Sequence, residues 1–300
     1  MTTTLNSITT AKEPLCIPTE ELREKFNRMS FTFNHELANH PAFTLQNLSS
    51  VMERRQKADS VFWNAGDKRI EQAANVDVGR NCSLEEAMKH IEKTKAWITL
   101  LDAHYEPEIR EVLDNTILQI ERELGWPLTR AIKTRNVHIF ITSPSRITSF
   151  HIDRECTFLV QIHGSKKIHV FSAQDRDMLK EQELERFWAG DNHAHNYRPE
   201  FEDHASVFSM IPGSGVHIPV NAGHWLENGP EISISVGIHF QFHNYMLGNI
   251  YRANHILRKA GISPLPPGQS GLRDTIKGWG MEPAVKIAKL IDRSKSRKRS

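Results

Sequence analysis

The stretch Ser149-Phe150-His151-Ile152-Asp153 carries two metal-ligating side chains two positions apart, and Gly223-His224-Trp225 supplies another much later in the chain. On an extended strand, residues i and i+2 project from the same face, so His151 and Asp153 can hold one ion together. A third donor has to come from a different part of the fold. His224 is the candidate, and His217 is its rival, with a substrate contact as the other reading of His217. Two neutral imidazoles and one carboxylate on one face of an octahedral ferrous ion leave coordination positions open for a co-substrate and dioxygen. A structural zinc site would close the shell instead. In a chain with 16 histidines a bare His-x-Asp is a weak signal, and its surroundings have to sharpen it.

Those surroundings change character near residue 136. Before it the pattern is mainly helical, with Thr44 ahead of an apolar run, Ser83 and Glu86 at capping-box spacing, and a long amphipathic segment from Pro107 stopped by Gly125. Residues 61–64 and 96–101 are candidate strands that could join a later sheet. After it, segments 137–141, 158–162, 167–171, 206–210, 215–218 and 232–242 are rich in Val, Ile, Phe, Thr and Ser and are separated by Gly, Pro and Asn. This predicts an antiparallel sandwich or barrel. His163-Gly164-Ser165-Lys166 reads as a tight hairpin, and residues 175–203 as a long polar insertion with a helix around 178–187. Residues 249–259 form a helix closed by Gly261, 264–268 a linker, and 283–291 a last helix. The basic run 293–300 reads as a solvated tail, with contact to nucleic acid or an anionic surface as the lesser reading.

The run from His151 through the Gly164-Ser165-Lys166 turn to Phe171, followed by Gly213-Ser-Gly-Val-His-Ile-Pro-Val-Asn-Ala-Gly-His224-Trp225, resembles the JmjC-like, cupin-like family of iron(II)- and 2-oxoglutarate-dependent oxygenases. Within it, the pattern is similar to the group of asparaginyl hydroxylases that act on hypoxia factors. The resemblance covers roughly residues 148–240. It implies that His151, Asp153 and His224 bind iron. It also implies that Thr148 and Lys166 hold the distal carboxylate of 2-oxoglutarate, which suits a hydroxyl and an ammonium as charge-assisted donors. Thr157 and His239 correspond to positions near the co-substrate, with residue types different from the family's. His163 stands where the hydroxylase has a lysine, and Trp225 flanks the last ligand as a packing or substrate-side residue. Where other oxygenases carry an arginine after the final histidine, this chain has Ile232-Ser-Ile-Ser-Val, which leaves Lys166 as the anchor.

The fold expected is a double-stranded β-helix, the cupin jelly roll, flanked by helices. Residues 1–133 would be a mainly helical region packed on the barrel, 134–245 the catalytic core, and 246–300 C-terminal helices and the basic tail. The function expected is hydroxylation by dioxygen and 2-oxoglutarate of a substrate the sequence does not name: a small molecule, lipid, sugar or protein side chain. Two alternatives remain, a cupin metalloenzyme that does not use 2-oxoglutarate and a non-catalytic cupin-like binding protein. Asp191, His193, His195 and His204 form a second metal-like cluster, read as a mobile polar loop because no strand preorganises it. His138 and His169 read as structural histidines within strands.

Composition sets the outer limits. With 300 residues, 39% of them hydrophobic, the chain can bury a large core. Its 38 basic and 36 acidic residues leave a net charge of +2, too little for a global field that gathers polyanions, so nucleic acid is not implied. Three cysteines, Cys16, Cys82 and Cys156, form no C-x-x-C pair and read as reduced thiols. Residues 1–15 lack an apolar leader and no long apolar run follows, so the expectation is a cytoplasmic protein with no membrane span. The helices after Phe242 could support a homodimer.

Overall fold

The computed structural model describes residues 13–56, 60–72, 82–243 and 245–296. Among these described residues twelve strands form two antiparallel sheets. The larger has the order β1-β2-β10-β7-β12-β5-β4-β3, made from Leu15–Cys16 (β1), Phe31–His35 (β2), Val61–Ala65 (β3), Ala96–Leu100 (β4), Ile132–Thr142 (β5), Cys156–His163 (β7), Ser214–Ile218 (β10) and Ser233–Phe242 (β12). The smaller has the order β6-β11-β8-β9, made from Ile147–His151 (β6), Lys166–Val170 (β8), Ser206–Met210 (β9) and His224–Asn228 (β11). The helices are Thr19–Lys25 (α1), Leu45–Arg55 (α2), Leu84–Lys89 (α3), Pro107–Leu124 (α4), Leu128–Ala131 (α5), Glu181–Trp188 (α6), Tyr245–Lys259 (α7) and Gly271–Ser296 (α8).

Side-chain alternation assigns the layers. On β12, Ile234, Val236, Ile238 and Phe240 join the core under the N-terminal helices, with Ile109, Leu113, Ile117 and Ile120 of α4 and Leu48 and Met52 of α2. Ser233, Ser235, Gly237 and His239 therefore face the other way, between the two sheets. That interior is closed by Leu159 and Val216 from the larger sheet and by Ile168, Val170, Met210 and Leu226 from the smaller. Its polar members at one end satisfy one another: Gln161 donates to Ser233 Oγ at 2.9 Å, Ser235 donates to Gln161 at 2.8 Å, and Asn228 donates to Thr142 Oγ1 at 2.6 Å. Each pairing offsets the cost of burying a polar group. A third layer covers the outside of the smaller sheet, where Phe150, Phe171, Met178 and Trp225 pack under Tyr197 and Phe201 of the insertion.

The expected helices and most strands form as their patterns dictate. Thr44 caps α2, Ser83 and Glu86 make a reciprocal capping box, and α4 ends on Gly125 at φ 74°. Residues 61–64 and 96–101 do enter the sheet, as β3 and β4, and β1 and β2 extend its opposite edge, so the larger sheet runs across residue 133. Among the described residues no helix is long and apolar enough to cross a membrane.

Three expectations are corrected. Residues 163–166 are not a hairpin, because β7 pairs with β10 and β12 while β8 pairs with β11 and β9. The segment is a corner that carries the chain from one sheet to the other. Gly164 makes the corner at φ +67°, and a Cβ there would sit 2.1 Å from the Ile232 carbonyl oxygen. Gly164→Ala is therefore expected to cost about 2 kcal/mol or more, read as a lowered urea midpoint; an unchanged midpoint would refute the corner's role. The last helix starts at Gly271, not at Pro283, and runs through that proline. It also takes in residues 293–296 of the expected tail, whose end at 297–300 lies outside the described residues.

Candidate metal centre

His151 ends β6 and His224 begins β11, and the two residues lie directly opposite each other in the antiparallel register. Asp153 follows in the loop leaving β6, where its carbonyl accepts the Asn221 N–H at 3.0 Å. One donor atom from each of the three side chains lies within 4.8 Å of the others, the one such group found among the described residues. Asp153 Oδ2 stands 3.9 Å from His151 Nε2 and 3.7 Å from His224 Nε2. The imidazole centroids are 4.2 Å apart.

The ring nitrogens are assigned by what they touch. His151 Nδ1 is 2.8 Å from the Ser149 carbonyl and His224 Nδ1 is 3.0 Å from the Ala222 carbonyl. A carbonyl can only accept, so each Nδ1 carries the proton and each Nε2 keeps its lone pair directed at the shared point. Second partners of this kind fix the orientation of metal-ligating histidines. Burial, and then the neighbouring His151, bring His224 down to about 4, which keeps it neutral and ready to ligate. Burial alone would raise the Asp153 carboxyl, but the imidazoles of His151, His224, His239 and His138 together hold it below the usual carboxylate value. The centre thus combines two imidazoles, His224 of them held neutral, with one carboxylate. His224 is buried while His151 and Asp153 are half-buried, so the group lies at the mouth of the barrel.

Thr148 and His151 are an odd number of residues apart and would face opposite sides of a regular strand. In the fold Leu226 lies opposite Thr148 and His224 opposite His151, so three steps of β6 span two of β11. This bulge turns Thr148 onto the same face as the two histidines, an adjustment of the kind bulges make next to functional sites. Lys166 opens β8 on the face shared with Ile168 and Val170, pointing between the sheets, with Asn228 of β11 beside it in register. It is buried, and burial alone brings its ammonium down to about 7, with no charged neighbour among the described residues to oppose the shift.

Thr157 and His239 pair across β7 and β12, with Thr157 Oγ1 2.9 Å from His239 Nδ1. The half-buried His239 ring lies between the sheets, 4.7 Å from that of His138, and its buried Nε2 is without a hydrogen-bond partner. Gly237 makes the room, because a Cβ there would lie 2.4 Å from that nitrogen.

The remaining candidates lie elsewhere. His217 is corrected both as a rival ligand and as a cavity contact: it points out of the sandwich into the helix-side core, 4.6 Å from Phe158, 5.0 Å from Phe31 and 5.7 Å from Phe26, and accepts the Asn27 N–H at 2.9 Å. Trp225 faces away from the metal centre, as its alternation with His224 requires, and stacks on His169 at 3.9 Å. His163 is exposed at the end of β7. In the insertion, His204 pairs with Asp175 at 2.6 Å and Arg186 lies 3.7 Å from Asp191, so no second metal group assembles there among the described residues. His195 is the surprise of that segment. Its ring packs 5.7 Å from Phe150 and 5.9 Å from Phe187, and burial, then His151, bring it down to about 4. The one sequence signal for this was Ala194, a small residue amid polar ones, which is fully buried.

A profile of the cupin-like domain matches residues 20–236, most of the chain. The chain belongs to the cupin-like domain family. Among solved structures, the cupin-like domain is similar to the crystal structure of the Escherichia coli ribosomal oxygenase YcfD, with a TM-score of 0.50 at 13% identity, covering 90% of this chain and 67% of that one. A second structure of the Escherichia coli protein, in complex with cobalt and succinic acid, gives a TM-score of 0.47 at 14% identity, with 89% and 65% covered. At such identities the likeness concerns the fold, and this chain spans about two thirds of the length of those proteins. No curated protein sequence matches the cupin-like chain.

Proposed function

We propose that the chain is an iron(II)- and 2-oxoglutarate-dependent oxygenase in which His151, Asp153 and His224 hold the metal and Lys166 anchors the co-substrate. The observation that carries the reading is the pairing, inside one barrel, of a three-donor group with a buried lysine that has no counter-charge among the described residues. The donor set fits iron(II): two imidazole nitrogens and a carboxylate oxygen within 4.8 Å of one another, the two-histidine, one-carboxylate set that would leave positions open for a co-substrate and dioxygen. An isolated buried ammonium is expensive, and an anion placed beside it removes the expense. The distal carboxylate of 2-oxoglutarate is such an anion, with Thr148 on the same face to share it.

With iron bound, 2-oxoglutarate and dioxygen supply the oxidising chemistry, releasing carbon dioxide and succinate while one oxygen atom enters a substrate C–H bond. The chain's own residues bind, orient and exclude. The Ser149 and Ala222 carbonyls hold the two ligand tautomers, Lys166 and Thr148 fix one end of the diacid, and His239, with an unpartnered Nε2 facing the same interior, contributes a further donor or acceptor. Phe140, Leu159, Val216 and Leu226 keep the space between the sheets dry. Three unpaired thiols, Cys156 among them fully buried, suit a reducing, cytoplasmic setting.

The test is release of labelled carbon dioxide from 1-labelled 2-oxoglutarate by the purified, iron-loaded protein. Release that requires oxygen and stops on chelation is the expected result. Stable iron binding without such release would turn the reading to a cupin metalloenzyme of another kind, and failure to retain metal would turn it to a binding protein.

A further inference from the structure

Beside the loop that carries Asp153, a cavity of about 740 Å³ opens between the ends of α1, α4, α6, α7 and β12. Five cationic side chains, Arg23, Arg28, Lys133, Arg154 and Arg252, line it, and among the described residues no carboxylate does. The volume is that of a small-molecule site, typically about 300–1,000 Å³. A net charge of only +2 over the whole chain makes this concentration a local feature. Cationic groups gathered along a concave wall attract an anion, and low-dielectric walls focus the field on it.

Geometry adds a recognition element. The guanidiniums of Arg154 and Arg252 both lie over the Trp188 ring, 5.7 and 5.6 Å from its centroid. Arg154 is further held flat, 3.9 Å over Phe187, by a hydrogen bond to the Phe187 carbonyl. Planar forks of donors fixed in this way match the oxygens of a phosphate or carboxylate. Phe26, Trp126 and Phe242 provide an apolar wall for the body of a ligand.

The cavity is also tied to the metal centre. Arg154 follows Asp153 directly, Trp188 Nε1 donates to Asn221 Oδ1 at 3.0 Å, and the Asn221 N–H donates to the Asp153 carbonyl at 3.0 Å. One chain of covalent and hydrogen bonds therefore runs from the cationic wall to the ligand loop.

We infer that this cavity holds the acidic part of the primary substrate, which is then a small organic anion: a phosphate or carboxylate group on an apolar or aromatic body. The inference rests on the oxygenase reading and adds the substrate class to it. Phenyl phosphate, phenylacetate and benzyl alcohol, titrated calorimetrically into the full-length iron-loaded protein under nitrogen with saturating 2-oxoglutarate, test it. At least one of the two anions is expected to bind once per chain, and benzyl alcohol not to bind. Arg252→Gln and, separately, the exposed Arg28→Gln are each expected to weaken the anion by about tenfold, as loss of a charge-assisted contact does, with unchanged circular dichroism. Tighter phenyl phosphate assigns a phosphoryl group, and tighter phenylacetate a carboxylate. Binding of neither anion, or affinities that both variants leave unchanged, overturns the proposal. So does a single-stranded oligonucleotide that displaces the anion with higher affinity, which would make the site one for nucleic acid. The same titration without iron and 2-oxoglutarate should give the same anion affinity, so a failed oxygenase reading would leave this result standing.

Discussion

Asp153→Ala is expected to take the iron content of the purified protein from about one per chain to nearly none, and 2-oxoglutarate turnover down by more than a hundredfold. Loss of a residue that merely supports a ligand typically costs about 10–100-fold in affinity or activity, and loss of a ligand costs more. The size of the effect follows from charge. Asp153 is the one anion of the three-donor group, and a dication held by two neutral imidazoles alone has no charge to neutralise it. The fold should survive, because the side chain is half-buried at the barrel mouth and its carboxylate is surrounded by imidazoles, not packed into the apolar core. Iron content by elemental analysis, read beside an unchanged melting temperature, checks this. Full iron occupancy in the variant would remove the triad from consideration.

Lys166→Met should separate binding from chemistry. The KM for 2-oxoglutarate is expected to rise by about tenfold to a hundredfold, the worth of one or two hydrogen bonds to a charged group, while kcat at saturation changes little, as for an interaction made equally in ground and transition states. Without co-substrate the variant should be as stable as the parent or more so, since methionine fills similar space without a buried charge. The pH dependence has a definite sign. Burial brings the folded lysine to about 7, against 10.5 in the unfolded chain, so between those values the unfolded state binds the extra proton and the parent gains stability as pH rises. That gain should be missing in Lys166→Met. Co-substrate affinity should move the opposite way and fall above about pH 7, because the empty site then loses the ammonium that the carboxylate needs. A KM unchanged by the substitution would take Lys166 out of the site.

What the sequence made legible was whatever depends on local periodicity. The close spacing of His151 and Asp153 put both donors in one candidate group, although Asp153 lies in the loop just past β6 and not on the strand that the i, i+2 rule assumed, and capping chemistry located α2, α3 and α4. Features that depend on which strand pairs with which were out of reach. His163 to Lys166 looks the same whether its strands pair or part company, and only the sheet order distinguishes a hairpin from a corner. His217 carries an attractive residue type in an attractive place, but whether it faces the metal or the phenylalanines depends on how β10 sits between β2 and β7. The bulge that brings Thr148 round is invisible in a linear spacing. In β2 the signal was present and unread: Phe31, Phe33 and His35 alternate with polar residues as a half-buried strand should.

Strand β11 pairs with β6 on one side and with β8 on the other, so it sets the separation between the three-donor group and Lys166. From His224 to Asn228, the partner of Lys166, the rise is about 13 Å at about 3.3 Å per residue. Both fixed points belong to one hydrogen-bonded sheet, and neither strand can slip by a residue without turning its core face outward. Under the proposed reading, the smaller sheet therefore fixes the backbone separation that a bound diacid has to bridge, and leaves only the flexible stem of the lysine to adjust it.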